Sequence, residues 1–137
     1  MRRTFGLCVI VGLAAYGPIT WAQSQPAAPL EESGRNIEYA SVATALAALR
    51  NKPGVRVTIQ DGWILADDSQ DVALWSFAPI NHPSYPSAVK RRMVKTESGI
   101  DLEMTVRCEA TKAPCDDLVR SFQQLNKQMI REIRGEN

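Results

Sequence analysis

The chain carries one imidazole, three thiols and a short run of cations, and these side chains have the most to offer chemically. His82 sits in His82-Pro83-Ser84. A general base needs a positioned partner and a cleft to work in. Ser84 and Asp71 are suitable residue types, but nothing in their spacing ties them to His82. His82 therefore reads as a loop histidine, and no catalytic residue is expected. Gly-rich phosphate loops, a Gly-x-Ser-x-Gly elbow, a His-Glu-x-x-His helix and a paired-carboxylate motif are all missing from the sequence. Asp67, Asp68 and Asp71 bunch at a turn without the offsets of a calcium loop, so turn solvation is expected there, with no metal and no cofactor.

Lys90, Arg91, Arg92 and Lys95 are the candidate anion-binding residues, with Arg107 further along. Such a cluster suits an anionic partner, lipid headgroups or a glycan acid. The competing reading is a solvated strand face paired with Asp101 and Glu103. The balance of 16 Lys+Arg against 15 Asp+Glu supports that reading and argues against a nucleic-acid partner. Trp63, His82 and Tyr85 are the candidate partner-binding residues, because aromatics beside a rigid loop make good anchors. Burial under a helix is an equal reading for Trp63.

The thiols depend on where the chain resides. Met1-Arg2-Arg3 is a basic start, Thr4 to Gly17 is mostly apolar, and Thr20-Trp21-Ala22 places small residues at a cleavage site. That layout is a secretory signal peptide over residues 1–22, too short for a membrane span. Cleavage removes Cys8 and leaves Cys108 and Cys115, an even set bound for an oxidising compartment. A disulfide is expected, contributing roughly 2–3 kcal/mol for so short a loop. Periplasmic or secreted localisation follows, with no transmembrane span in the mature chain.

These residues need elements to position them. Residues 23–35 read as a flexible leader and 36–137 as a single domain. A helix is expected from Ile37 to Arg50, with Tyr39, Val42, Ala43, Leu46 and Leu49 on one face, stopped by Pro53-Gly54. Val55–Gln60 alternates with period two, and Asp61-Gly62 then forms a hairpin turn pairing Gln60 with Trp63 and Ile59 with Ile64. Asp68–Asp71 turns the chain into Val72–Phe77, with Ala66 opposite Ala73 and Ile64 opposite Trp75. One sheet face then carries Val57, Ile59, Ile64, Ala66, Ala73, Trp75 and Phe77. Ala78–Ser87 is a rigid proline-rich loop. Val89–Lys95 and Ile100–Cys108 form another hairpin, Met93 facing Leu102 and Arg92 facing Glu103. A last helix from Pro114 to Arg134 carries a stripe of Leu118, Phe122, Leu125, Met129 and Ile133, and Gly135 ends it.

The sum is an α+β domain: a five-stranded antiparallel meander sheet flanked by an N-terminal and a C-terminal helix. Trp75-Ser76-Phe77, the run from His82 to Arg91, and Cys108-x6-Cys115 together resemble a family of small exported proteobacterial proteins of uncharacterised function. That resemblance implies no activity and carries no functional residue with it. The expected function is a non-enzymatic interaction module of the cell envelope, its partner another envelope or secreted protein. The alternatives are a binder of a small ligand or anionic surface through strand 89–95, and an enzyme with an unrecognised site.

Overall fold

The computed structural model describes residues 36–135; the expected signal peptide and leader lie outside the described residues. The elements are α1 (Val42–Asn51), β1 (Val55–Gln60), β2 (Trp63–Asp68), β3 (Ala73–Phe77), β4 (Ser87–Thr96), β5 (Gly99–Cys108) and α2 (Lys112–Arg134). The strands form one antiparallel sheet in the order β1-β2-β3-β4-β5, the expected meander. No described helix is long and apolar enough to cross a membrane.

α1 begins five residues later than its periodicity suggests, because Ser41 caps it. The Ser41 hydroxyl accepts from the Thr44 N–H at 3.1 Å while the Thr44 hydroxyl accepts from the Ser41 N–H at 3.0 Å. Tyr39 therefore stands outside the helix, though its ring still meets Trp75 edge-on at 5.8 Å. The buried positions of α1 are Val42, Ala45 and Leu49; Ala43, expected on that face, is exposed.

The β1–β2 hairpin has the expected register, and Asp61 and Gly62 both take the positive φ that its tight turn demands. The β2–β3 pairing is shifted by two residues, so that Ala66 faces Trp75 and Ile64 faces Phe77. The turn consumes Ser69 to Val72 in full, because the Asp68 carboxylate accepts from the N–H groups of Gln70 and Asp71 and holds the chain in a wider loop. An even shift leaves every side chain on its expected face. Val72 itself leaves the strand and sits at φ 49°, an unusual place for a β-branched residue. β4 and β5 pair in the expected register, but the ladder continues to Thr96 and Gly99, so the loop is shorter than expected.

Each helix covers one face of the sheet. On one side Leu49 of α1 packs with Ala66, Trp75, Phe77 and Ala88 of the sheet; on the other Val89 and Val106 pack under Leu118 and Phe122 of α2. Ile59 is on α1's side of the sheet but 74% exposed, since it belongs to the edge strand. Along α2 the buried positions are Leu118, Phe122 and Asn126. Leu125 and Ile133, expected in the stripe, are exposed. Pro114 falls in the first turn of α2, where its missing N–H costs nothing, and Gly135 ends the helix in a left-handed conformation. Cys108, at the end of β5, is joined by a disulfide to Cys115 in the first turn of α2.

Lys52, just beyond α1, places its ammonium 2.7 Å from Asp68 and 2.9 Å from Asp71, clamping the helix end to the β2–β3 turn. Hydrogen bonds donated to both carboxylates raise the Lys52 pKa, and the Lys52 hydrogen bond and charge lower that of Asp71.

Two predictions follow from these ties. Reducing the disulfide, or replacing Cys108 and Cys115 by Ser, lowers stability by roughly 2–3 kcal/mol in urea unfolding; an unchanged midpoint would show that the clip carries no stability. The ion cluster sets a pH window. A depressed Asp71 pKa gives a contribution complete above the ordinary value of 3.8 and lost as pH falls through the lower folded value. A raised Lys52 pKa gives one complete below 10.5 and lost as pH rises through the higher folded value. The stability difference between the native chain and Lys52→Met is therefore flat between about pH 4 and about pH 10 and shrinks on both sides.

Candidate functional site

β4 crosses the middle of the molecule with a helix on either face, and its alternation decides where each cation goes. Ala88, Lys90 and Arg92 point toward the α1 side; Val89 and Arg91 point toward α2. The run Lys90-Arg91-Arg92 is thus divided between two environments. Lys90 lies 5.1 Å from the Trp75 ring and pairs with Glu38 at 2.6 Å. Arg92 pairs with Glu103, its cross-strand neighbour, at 2.6 Å, as the solvated reading expects. Lys95 is exposed beside the β4–β5 turn.

Arg91 departs from that reading. It is 7% exposed, and it has no carboxylate within ion-pairing distance among the described residues. Its guanidinium lies 5.2 Å from the Phe122 ring, Nη1 reaches the Met129 sulfur at 3.4 Å, and Nε has no hydrogen-bond partner among the described residues. Burial pushes its pKa down from the usual arginine value. A charge taken out of water without a counter-ion is costly, and buried arginines are ordinarily paired.

The cross-strand row through Arg91 runs Arg56, Asp67, Leu74, Arg91, Met104. Asp67 is the carboxylate of that row, but Leu74 stands between it and Arg91, and Arg56 engages it at 2.9 Å. A groove of 410 Å³ opens here between β3, β4 and the last turns of α2. Its walls include Val72, Leu74, Met93, Leu102, Met129 and Ile133, with Arg91 among them. Val72, at its positive φ, is 58% exposed on the rim. Strained backbone of this kind concentrates at ligand-contacting positions.

Trp63, His82 and Tyr85 do not share one surface. Trp63 is half-buried, with His82 edge-on at 5.0 Å and Phe122 at 5.7 Å, so it belongs to the packing under α2. Tyr85 is exposed and lines a separate groove of 560 Å³ with Val42, Leu46, Ile64, Phe77 and Ile80, beside α1. His82 Nδ1 lies 2.7 Å from the Ser84 hydroxyl and accepts from the Ser84 N–H at 3.2 Å, and Ser84 Oγ lies 3.1 Å from Ser87 Oγ. Because Nδ1 already accepts one hydrogen bond, the Ser84 hydroxyl donates to it. A histidine touching a serine invites a nucleophile-and-base reading. Both serines are fully buried, however, and no substrate atom reaches Ser84 Oγ in this arrangement. The contacts knit the proline-rich loop to the start of β4.

The acidic turn, expected to be solvated, instead holds a buried Asp68 paired with Lys52. Among the described residues no group of three His, Cys, Asp or Glu side chains is placed to hold a metal ion. The groove's other walls had no distinct signal in the sequence: Met129 and Ile133 read as core stripe and Val72 as strand. The β3–β4 register, which sets Leu74 against Arg91, was the missing link. The chain matches no family model, no curated protein and no solved structure.

Truncations separate the packed aromatic from the exposed one. Trp63→Ala lowers stability by about 3 kcal/mol in urea unfolding, since it removes contacts to His82 and Phe122 together, whereas Tyr85→Ala changes it by less than about 1 kcal/mol. Equal losses would place the two residues in the same environment.

Proposed function

We propose that this chain is a non-enzymatic binding module of the cell envelope that holds a small anionic ligand on β4, with Arg91 as the anion-recognising residue. The observation that carries the reading is the Arg91 guanidinium, buried at the wall of an open groove with no carboxylate in ion-pairing distance among the described residues. Charge-assisted hydrogen bonds to a ligand would supply what the protein leaves unmade there, and guanidinium geometry suits a carboxylate or phosphate. The export signal and the paired thiols in the sequence support an envelope setting, where a clipped scaffold persists.

A second reading is docking of another envelope or secreted protein around Tyr85. It is favoured by the exposure of Tyr85 and Ile80 at the mouth of the second groove. Trp63 and His82 would then act as scaffold for the loop and not as contacts.

Arg91→Met tests the first reading, because it removes the charge and keeps the length. If Arg91 is there for a ligand, the variant is more stable than the native chain by about 1 kcal/mol or more, as when buried charges are replaced by apolar side chains of like volume. Acetate titrated into the native protein shifts the Arg91 Nε–Hε signal in NMR spectra. Destabilisation by Arg91→Met, together with an Arg91 signal indifferent to carboxylate, would overturn the reading.

A further inference from the structure

We infer that the ligand of the Arg91 groove is an unbranched acyl carboxylate, a fatty acid with its head at Arg91 and its tail along α2. The inference rests on the anion-binding reading and adds the chemistry of the rest of the ligand.

The groove's volume of 410 Å³ falls within the range of small-molecule sites. Arg91 is its only cationic wall among the described residues. Asp67 and Ser69, the other polar walls, are already engaged: Asp67 by Arg56 at 2.9 Å, and Ser69 by donating to the Gly54 carbonyl at 3.0 Å. Asp67 Oδ1 and the Ser69 Oγ lone pairs stay open as acceptors, but among the described side chains of the groove no donor besides Arg91 remains to read a sugar, a nucleoside or a polar tail. The remaining walls are apolar, and three of them stand open to solvent: Val72 at 58%, Met93 at 52% and Ile133 at 46%. Apolar side chains grouped around a single cation fit a molecule with one anionic end and a hydrocarbon body. Met93 and Met129 add adaptable thioether walls that accommodate a flexible chain.

Sheet topology argues against a peptide in the same place. β3 and β4 are each paired on both sides, so the groove floor has no free strand edge. An extended peptide would lose water from its own N–H and C=O groups without finding partners, whereas an acyl chain has none to satisfy.

The test is a series of straight-chain carboxylates from acetate to decanoate, each below its micelle concentration. Binding is read by calorimetry and by the Arg91 Nε–Hε signal. Affinity rises about fourfold per methylene, the equivalent of ~0.8 kcal/mol per buried CH₂, or roughly 200-fold from hexanoate to decanoate. Ile133→Asn, an uncharged polar substitution at a groove wall, weakens decanoate several-fold more than it weakens acetate; Arg91→Met abolishes the preference for decanoate over decylammonium. If acetate shifts Arg91 but affinity is flat with chain length, the acyl inference fails and the anion reading stands. If no carboxylate moves Arg91, both fail. Equal binding of decylammonium to the native protein, or tighter binding of a peptide ending in an apolar residue than of decanoate, would also overturn the acyl inference.

Discussion

A strand covered on both faces must bury every residue it carries, whatever its chemistry, and β4 is such a strand over its first half. Ser87, Ala88, Val89 and Arg91 are all buried, and only Lys90 among them keeps partial access to water. Strands so placed usually read as continuous apolar runs. Here two consecutive cations occupy the middle of the molecule, and the sheet gives each a different solution. Lys90 lies against Trp75 and reaches Glu38, an ammonium over an aromatic face with a counter-ion at its tip. Arg91 has the Phe122 ring and the Met129 sulfur but no counter-ion among the described residues. The contrast between neighbours separates a structural cation from one left available.

The two helices follow from the same constraint. Trp75 and Phe77 on one face and Val89 and Val106 on the other are too apolar to leave wet, so each face needs its own cover. α1 is short and fixed at both ends, by its capping box and by the Lys52 clamp to the β2–β3 turn. α2 is long and lies toward the β5 side. The part of its face over β3 is covered incompletely, which is why Leu74 and Met93 line an open groove.

Much of this architecture was legible in the residue pattern. Period-two alternation and Asp61-Gly62 specify the first hairpin down to its register, and Cys108 and Cys115 announce their bond. What escaped was set by contacts distant in sequence or by side-chain capping. Ser41 and Thr44 move the start of α1 and turn its inward face toward Ala45. Asp68 widens the β2–β3 turn by gathering two backbone N–H groups, a role its type allows but its position does not advertise. Above all, Lys90-Arg91-Arg92 reads as a solvated patch, because composition cannot say that α2 will lie across β4. The candidate site emerged only when that helix was in place.

The bond between Cys108 and Cys115 holds α2 at its first turn, while the groove lies near its last. At that far end the helix is secured by weaker means, among them the Arg134 guanidinium donating to the Ile100 carbonyl at 3.1 Å. A rod pinned at one end can only swing. Displacement grows with distance from the pin, so a small angular excursion that barely stirs Leu118 separates Met129 and Ile133 from the sheet by the largest margin. Any excursion of α2 that this covalent anchor permits is therefore largest at the turns beside Arg91.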